Sequence, residues 1–155
     1  MADDKFKAFY NLLKKKFELP PLAKMDDAFE ISFIDPSPFF LREVVRKMSE
    51  YIDFNFTILN RILHPQTKIW EIREANAFDE DAKQRIFELY KRLKYFFRFS
   101  DEAIIDGSNE VCAQFINSVF KEYPTIKKEM LEIVREMKVS WKKEITEKTD
   151  LGYLG

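Results

Sequence analysis

Residues 37–65 read SPFFLREVVRKMSEYIDFNFTILNRILHP. Apolar residues recur in this stretch at steps of three and four, which is the spacing of one helical face. Ser37 followed by Pro38 is typical of a helix start, because serine caps free backbone N–H groups and proline suits the first turn. Pro65 predicts the end of the helix, since proline disfavours the helical conformation in the preceding residue. The predicted core face of this long helix is Leu41, Val44, Val45, Met48, Ile52, Leu59, Ile62 and Leu63.

Four further segments carry the same helical periodicity, and they cover residues 6–17, 79–99, 108–123 and 125–149. Ser108 is predicted to cap the third of them, and Pro124 is expected to separate it from the fourth. The pattern predicts an all-α protein, a bundle of about five helices. The predicted core stripe of the last helix is Ile126, Met130, Ile133, Val134, Met137, Trp141 and Ile145.

Two short stretches permit a β element beside the helices. Residues 30–34 alternate polar and apolar side chains, and residues 68–73 could pair with them as a second strand. Two strands alone are marginal in water, so this element is optional for the fold. The chain has no internal repeat and no Gly/Ser linker, which favours a single domain over residues 1–155, with 149–155 as a flexible tail.

The composition excludes many functional classes. The 155 residues include one His, one Cys and three Gly. Phosphate-binding loops need several glycines, structural zinc needs four Cys or His ligands, and a Ser or Cys nucleophile usually needs a His base. We therefore predict no catalytic, cofactor-binding or metal-binding residue and no cofactor, and an enzyme is the less favoured class.

The predicted location is the cytoplasm. Acids and lysines run through residues 1–16, where a signal peptide would be apolar, and the sequence has no apolar run of membrane-spanning length. A lone cysteine, Cys112, suits a reducing compartment. The many Lys, Glu, Ile and Phe residues, with few Gly and Gln, suggest a thermophilic source.

One flank of the 79–99 helix combines basic and aromatic side chains. Such a face could neutralise phosphates while its rings stack on unpaired bases. The alternative is that Phe87 packs on a neighbouring helix while lysine stems cover it. The candidate nucleic-acid or anionic-partner face consists of Lys83, Phe87, Lys91, Lys94, Tyr95 and Arg98.

Asn55 falls within the apolar arc of the long helix, between Ile52 and Leu59. A buried amide is costly unless its hydrogen bonds are satisfied, so we expect Asn55 to have a partner. It is a candidate specificity residue, which either fixes register or oligomeric state or binds the backbone of a nearby loop.

Three functions are compatible with these residues. Sixteen Phe are more than a bundle of this length needs in its core, which favours a non-enzymatic interaction module that binds a protein partner or itself through an aromatic-rich face, with residues 151–155 as a candidate docking segment. The second hypothesis is nucleic-acid binding through the face at residues 83–98. The third is a carboxylate-based hydrolase, which requires a concave pocket with two carboxylates from different helices. No membrane partner is expected.

Overall fold

The computed structural model describes residues 3–142, and every regular element in that range is helical. The all-α class is therefore confirmed. The elements are α1 (Asp4–Phe17), α2 (Leu22–Phe29), a short 3-10 helix (Ile31–Phe33), α3 (Phe40–Leu63), α4 (Ile69–Asn76), α5 (Glu80–Asp106) and α6 (Asn109–Ser140). No helix in residues 3–142 combines the length and the apolar composition that a membrane crossing requires.

The predicted β element is wrong, and neither of its two stretches is a strand. Glu30 adopts a left-handed conformation, with φ of 54°, and ends α2. The Ile34 N–H then donates to the Ile31 carbonyl at 3.0 Å and closes a 3-10 turn. Residues 69–73 begin α4, because the buried Glu71 carboxylate accepts the Gln66 N–H at 2.9 Å and holds the turn before the helix.

The residues 3–142 contain six α-helices, where the sequence predicts about five. Helices α2 and α4 were not expected, and the last two predicted helices are one. Pro124 lies inside α6, although proline lacks the N–H that a helical turn needs. Val119 before Pro124 and Ile126 after it are both buried. The free energy gained by burying these side chains offsets the lost hydrogen bond.

Helix α5 continues past its predicted end near Phe99. Ala103 is fully buried in the added turns, and the helix ends where Gly107 adopts φ of 75°. Ser108 then caps α6 as predicted, since its Oγ accepts the Val111 N–H at 3.3 Å. Asp79 likewise caps α5, accepting the Ala82 N–H at 2.8 Å.

The chain forms two compact units. Unit 1 comprises Met1–Asp53 and Tyr95–Pro124, and unit 2 comprises Phe54–Lys94 and Thr125–Gly155. Helices α3, α5 and α6 each contribute residues to both units. The residues predicted as the core face of α3 are buried, each within the unit to which it belongs. The exception is Leu63, which is half-buried.

The core of unit 1 is built from aromatic rings. The buried Phe40 ring makes edge contacts with Phe6 and Phe9, with centroids 5.7 and 5.1 Å apart. Tyr10 packs at 6.4 Å from the same ring, and its hydroxyl donates to the Pro20 carbonyl at 2.7 Å. Edge-to-face aromatic contacts of this kind stabilise a core beyond simple area burial.

The core of unit 2 is largely aliphatic. Its buried side chains come from all four helices that contribute to the unit, and they include Leu59, Ile62, Ala75, Ile86, Leu89, Leu93, Ile126 and Met130. The stripe predicted for the last helix is only partly in this core. Ile126 and Met130 are buried, Ile133 and Met137 are half-buried, and Val134 and Trp141 are 39% and 50% exposed. Ile145, the predicted tail at 149–155 and the candidate docking segment at 151–155 lie outside the described residues.

Candidate functional site

The predicted basic and aromatic face lies on α5, and its residues divide between the two units. Lys83, Phe87, Lys91 and Lys94 belong to unit 2, while Tyr95 and Arg98 belong to unit 1. Phe87 is 40% exposed and Tyr95 is 65% exposed, so both rings meet solvent. Lys91 and Arg98 are exposed, whereas Lys83 and Lys94 are half-buried. A binding role for this set stays a prediction.

Within unit 2, Phe87 belongs to a stack of three rings. Its ring lies 6.1 Å from Tyr90 at an interplanar angle of 18°, and Tyr90 stacks on Phe56 at 4.6 Å and 26°. Lys91 Nζ is 5.3 Å from the Phe87 centroid, and Lys94 Nζ is 5.0 Å from that of Phe56. Phe87 therefore stacks on Tyr90 of its own helix, and it is Tyr90 that makes the contact with α3 in this stack. The packing of Phe87 on a neighbouring helix stays a prediction.

Acidic neighbours reduce the positive charge of this face. Lys91 Nζ lies 2.9 Å from Glu88, and Arg98 lies 2.9 Å from Asp101. The hydrogen bond from Lys91 lowers the pKa of the Glu88 carboxyl. Glu88 and Asp101 therefore compete with phosphate groups for two of the exposed cations.

A second aromatic surface, which was not expected from the sequence, lies in unit 2. It contains both tryptophans of the chain, Trp70 on α4 and Trp141 just after α6, which are 39% and 50% exposed. Charged side chains surround the two rings. We define the Trp–Arg patch as Arg61, Lys68, Trp70, Arg73, Glu74 and Trp141.

Cation–π contacts and hydrogen bonds hold both rings of the Trp–Arg patch in place. Arg61 and Lys68 lie 5.7 and 5.9 Å from the Trp70 centroid. Arg73 lies 5.3 Å from the Trp141 centroid, and the Trp141 indole N–H donates to Glu74 at 3.0 Å. Arg73 also donates to the Ser140 carbonyl at 3.1 Å. Because Trp70, Arg73 and Glu74 are three and four residues apart on α4, they share one helical face.

The sequence does not reveal the Trp–Arg patch for two reasons. Residues 68–73 permit a strand, in which Trp70 and Arg73 would point to opposite sides. The apolar spacing of the last helix places Trp141 in the core stripe. A helical interpretation of residues 69–76 would have brought Trp70 and Arg73 to one face, but the contact with Trp141 joins residues about 70 positions apart and has no local signal.

A groove of about 620 Å³ lies between α5 and α6 in unit 2. Carboxylates from both helices line it, which meets one condition of the hydrolase hypothesis. Arg92 engages both carboxylate oxygens of Glu129, at 3.0 and 3.2 Å. General acid catalysis needs a carboxyl with a raised pKa, and the pKa of Glu88 in this groove is shifted downward. Among residues 3–142, no three Cys, His, Asp or Glu side chains are grouped as a metal ion would require.

Asn55 is 5% exposed and lies among the core residues of α3, as predicted. It has an interaction partner, which agrees with the expectation for a buried amide. Its role in specificity stays a prediction.

Comparison with known proteins adds no functional information. No protein-family model, no curated protein and no solved structure matches the chain.

Proposed function

We propose that this chain is a non-enzymatic helical interaction module that binds a protein partner through the Trp–Arg patch of unit 2. The observation that carries the proposal is that both tryptophans of the chain are exposed in this patch, at 39% and 50%. Trp and Arg are the residues most enriched among those that dominate binding energy in protein interfaces. The cytoplasmic location and the thermophilic source stay predictions from composition.

The patch is suited to tight binding because its rings are already positioned. Trp70 and Trp141 are held by cations and, in the case of Trp141, by the hydrogen bond to Glu74. Association then loses less side-chain entropy than it would with mobile rings. Covering the exposed part of each ring is worth about 2 kcal/mol of hydrophobic free energy. Since the patch has three cations and one acid, we expect the partner surface to be acidic around its apolar centre.

The experiment starts with affinity capture and cross-linking of the tagged full chain in a lysate of its source, followed by mass spectrometry. The dissociation constant for the purified partner is then measured with the wild-type chain and with Trp70→Ala and Trp141→Ala. A hot-spot residue contributes about 2 kcal/mol or more, so each substitution should weaken binding by about 30-fold. Circular dichroism verifies that the variants are folded.

Phe54→Ala is the matched control, because Phe54 is a 66% exposed aromatic residue of unit 2 that is not part of the Trp–Arg patch. It should leave the affinity unchanged. Sedimentation over a range of concentrations tests whether the partner is a second copy of this chain. If it is, the tryptophan variants should form less dimer than the wild-type chain at the same concentration. The proposal is wrong if the wild-type chain has no partner and stays monomeric, or if the tryptophan variants bind as tightly as the control.

Nucleic-acid binding is the second candidate, and the stack of Phe56, Tyr90 and Phe87 beside Lys91 and Lys94 favours it. Fluorescence anisotropy with labelled single-stranded DNA and RNA tests it. Binding should weaken steeply as salt rises, and Phe87→Ala should cost about 1–3 kcal/mol of affinity. If neither nucleic acid binds at low salt, this candidate fails.

A further inference from the structure

The outer face of α6 in unit 2 combines exposed apolar side chains with cations. Leu131 is 41% exposed and Val134 is 39% exposed, although the same helix buries Ile126 and Met130 in the core of the unit. Four exposed cations lie within about 60° of Leu131 around the helix axis. We define the basic α6 face as Lys128, Leu131, Val134, Arg135, Lys138 and Lys142.

The acids of the same stretch lie on another side of the helix. Glu129, Glu132 and Glu136 all line the groove that α6 forms with α5. Arg92 on α5 pairs with Glu129 there, at 3.0 Å. The four cations of the basic α6 face have no ion-pair partner within residues 3–142. Their charge is therefore available to a binding partner.

The basic α6 face has the spacing of a coiled-coil seam. The a and d positions of a heptad repeat, at steps of three, four and three, correspond to Leu131, Val134, Lys138 and Trp141. Trp141 lies in a turn that continues the helix, since its N–H donates to the Lys138 carbonyl at 3.3 Å. Three of the cations recur every seven residues and occupy the e positions beside the seam, namely Lys128, Arg135 and Lys142.

The charges of the seam determine which helix fits it. In coiled coils, side chains at e positions form salt bridges with the partner helix, so basic e positions select an acidic partner. Lys138 occupies an a position, where only an acid on the partner compensates its charge. A second copy of this chain would instead place the same cations against one another.

A lipid surface and a nucleic acid fit this face less well than a helix does. A helix that lies in a lipid surface keeps its cations off the apolar stripe, whereas Lys138 lies on the stripe between Val134 and Trp141. Binding to phosphates needs cations but no aliphatic side chains at heptad spacing. The face extends from Lys128 to Lys142, which corresponds to about 21 Å, or about four turns of a partner helix.

We propose that the basic α6 face of unit 2 binds one acidic amphipathic helix of a partner protein. The apolar stripe of that helix packs on Leu131 and Val134, and its carboxylates meet Arg135 and Lys138. This binding goes beyond the proposed function, because it requires neither Trp70 nor Arg73. Trp141 is shared by the two surfaces.

Synthetic peptides provide the test because the partner is not identified. A fluorescein-labelled peptide of about 21 residues has Leu at a and d and Glu at e and g. A second peptide has Lys in place of every Glu, and a third has the composition of the first with its Leu residues moved off the heptad spacing. Anisotropy measures the affinity of each for the full chain at low and at moderate salt. We expect the Leu/Glu peptide to bind about tenfold more tightly than either of the others, with an advantage over the Lys peptide that shrinks as salt rises.

Two variants assign the binding to the basic α6 face, and each has a matched control. Arg135→Glu reverses an exposed charge, and Lys24→Glu makes the same charge change at an exposed position of α2 in unit 1. Leu131→Ser removes an apolar contact, and Leu12→Ser does so at an exposed position of α1 in unit 1. Arg135→Glu and Leu131→Ser should each weaken Leu/Glu binding about fivefold or more relative to their controls. Circular dichroism verifies that all four variants are folded.

Several results would overturn the proposal. These are failure of the Leu/Glu peptide to bind, equal binding of the Leu/Glu peptide and either of the other two, and equal losses of affinity in the variants and their controls. Phosphatidylserine vesicles and a single-stranded oligonucleotide are tested as competitors. If either displaces the peptide and itself binds less tightly to Arg135→Glu, the face recognises anionic lipid or nucleic acid instead. A dimer that Arg135→Glu strengthens or weakens would show that a second copy covers the face.

Trp70→Ala distinguishes this binding from the proposed function. It should bind the Leu/Glu peptide as tightly as the wild-type chain does, because Trp70 is not part of the basic α6 face. A loss of peptide affinity equal to that of Leu131→Ser would place the peptide on the Trp–Arg patch and overturn the proposal. If the peptide does not bind while a captured partner still requires Trp70, the proposed function stands without this second surface.

Discussion

Gly107 ends α5 in a conformation that few other residues adopt. Its φ is 75°, and a Cβ at this position would lie 2.5 Å from Arg42 Nη2. Arg42 also donates to the Gly107 carbonyl at 3.3 Å, so its side chain cannot withdraw without losing this hydrogen bond. Gly107→Ala should therefore lower the free energy of unfolding by about 1–2 kcal/mol. Urea denaturation measures the change, and an unaltered midpoint would contradict this account.

Glu18 and Glu30 provide the opposite test at two other helix ends. Both are non-glycine residues with φ of 54°, and both follow a helix as its C-cap. Replacing either by glycine removes the steric cost of the left-handed conformation, although glycine raises the entropy of the unfolded chain. We expect Glu18→Gly and Glu30→Gly each to raise the free energy of unfolding by about 0.5 kcal/mol. A loss of stability in both would show that the glutamate side chains stabilise the caps.

Tyr10 makes the stability of unit 1 sensitive to alkaline pH. Burial raises the pKa of its hydroxyl, which donates to the Pro20 carbonyl at 2.7 Å. Its contribution is complete below the ordinary tyrosine pKa of about 10 and is lost as pH rises toward the raised value in the folded state. Above pH 10 the wild-type chain should lose about 1.4 kcal/mol per pH unit more than Tyr10→Phe does.

The same substitution has an effect at neutral pH. Tyr10→Phe leaves the buried Pro20 carbonyl without this donor, which should cost about 1–2 kcal/mol. Denaturation curves at pH 7 and pH 11 measure both effects, and the other tyrosines cancel in the comparison. Parallel losses in the two proteins would mean that Tyr10 does not titrate with unfolding.

At the scale of elements, α6 is notable because it continues through Pro124. Proline lacks the N–H for the helical hydrogen bond and costs about 3 kcal/mol in a helix interior. The folded chain already accommodates the proline ring in part, so replacing it recovers only a fraction of this cost. Pro124→Ala should therefore raise the free energy of unfolding by about 1 kcal/mol. Thermal unfolding followed by circular dichroism measures it.

Pro21→Ala is the control for Pro124→Ala. Pro21 is the N-cap of α2 with φ of −56°, a conformation that proline adopts without strain. Replacing it should leave stability unchanged or lower it slightly, because the unfolded chain gains freedom. Equal gains from the two substitutions would show that the effect is not specific to the helix interior.

The elements also show where local patterns are sufficient. The sequence predicts the long helix α3 because its apolar residues repeat over several turns between Pro38 and Pro65, and the helix covers Phe40–Leu63. Helices α2 and α4 have eight residues each, too few for the periodicity to distinguish a helix from a strand or a loop. Their formation depends on burial of Met25 and Ala75, which the local pattern does not reveal.

At the scale of the whole molecule, a single domain over residues 1–155 stays a prediction. Helices α3, α5 and α6 each supply core residues to both units, so melting of one helix removes side chains from both cores. We therefore expect one cooperative unfolding transition. Met48→Ala in unit 1 and Leu59→Ala in unit 2 delete fully buried side chains, and each should cost about 2–5 kcal/mol.

Both core variants should lower the same transition without splitting it. Near- and far-ultraviolet circular dichroism and scanning calorimetry test this, because coincident transitions with equal calorimetric and van't Hoff enthalpies indicate two-state unfolding. Two transitions, each sensitive to one substitution only, would show that the units are independent domains.

The sequence by itself determined the helical class, the core face of α3 apart from Leu63, and the cap at Ser108. These features depend on side chains and backbone groups within one or two turns of each other. The continuity of α6 through Pro124, the exposure of Trp141 and the formation of the Trp–Arg patch were decided only by the tertiary structure. The exposure and the surface contacts of a residue depend on which distant segments pack against it. The spacing of apolar residues within one helix does not show which segments those are.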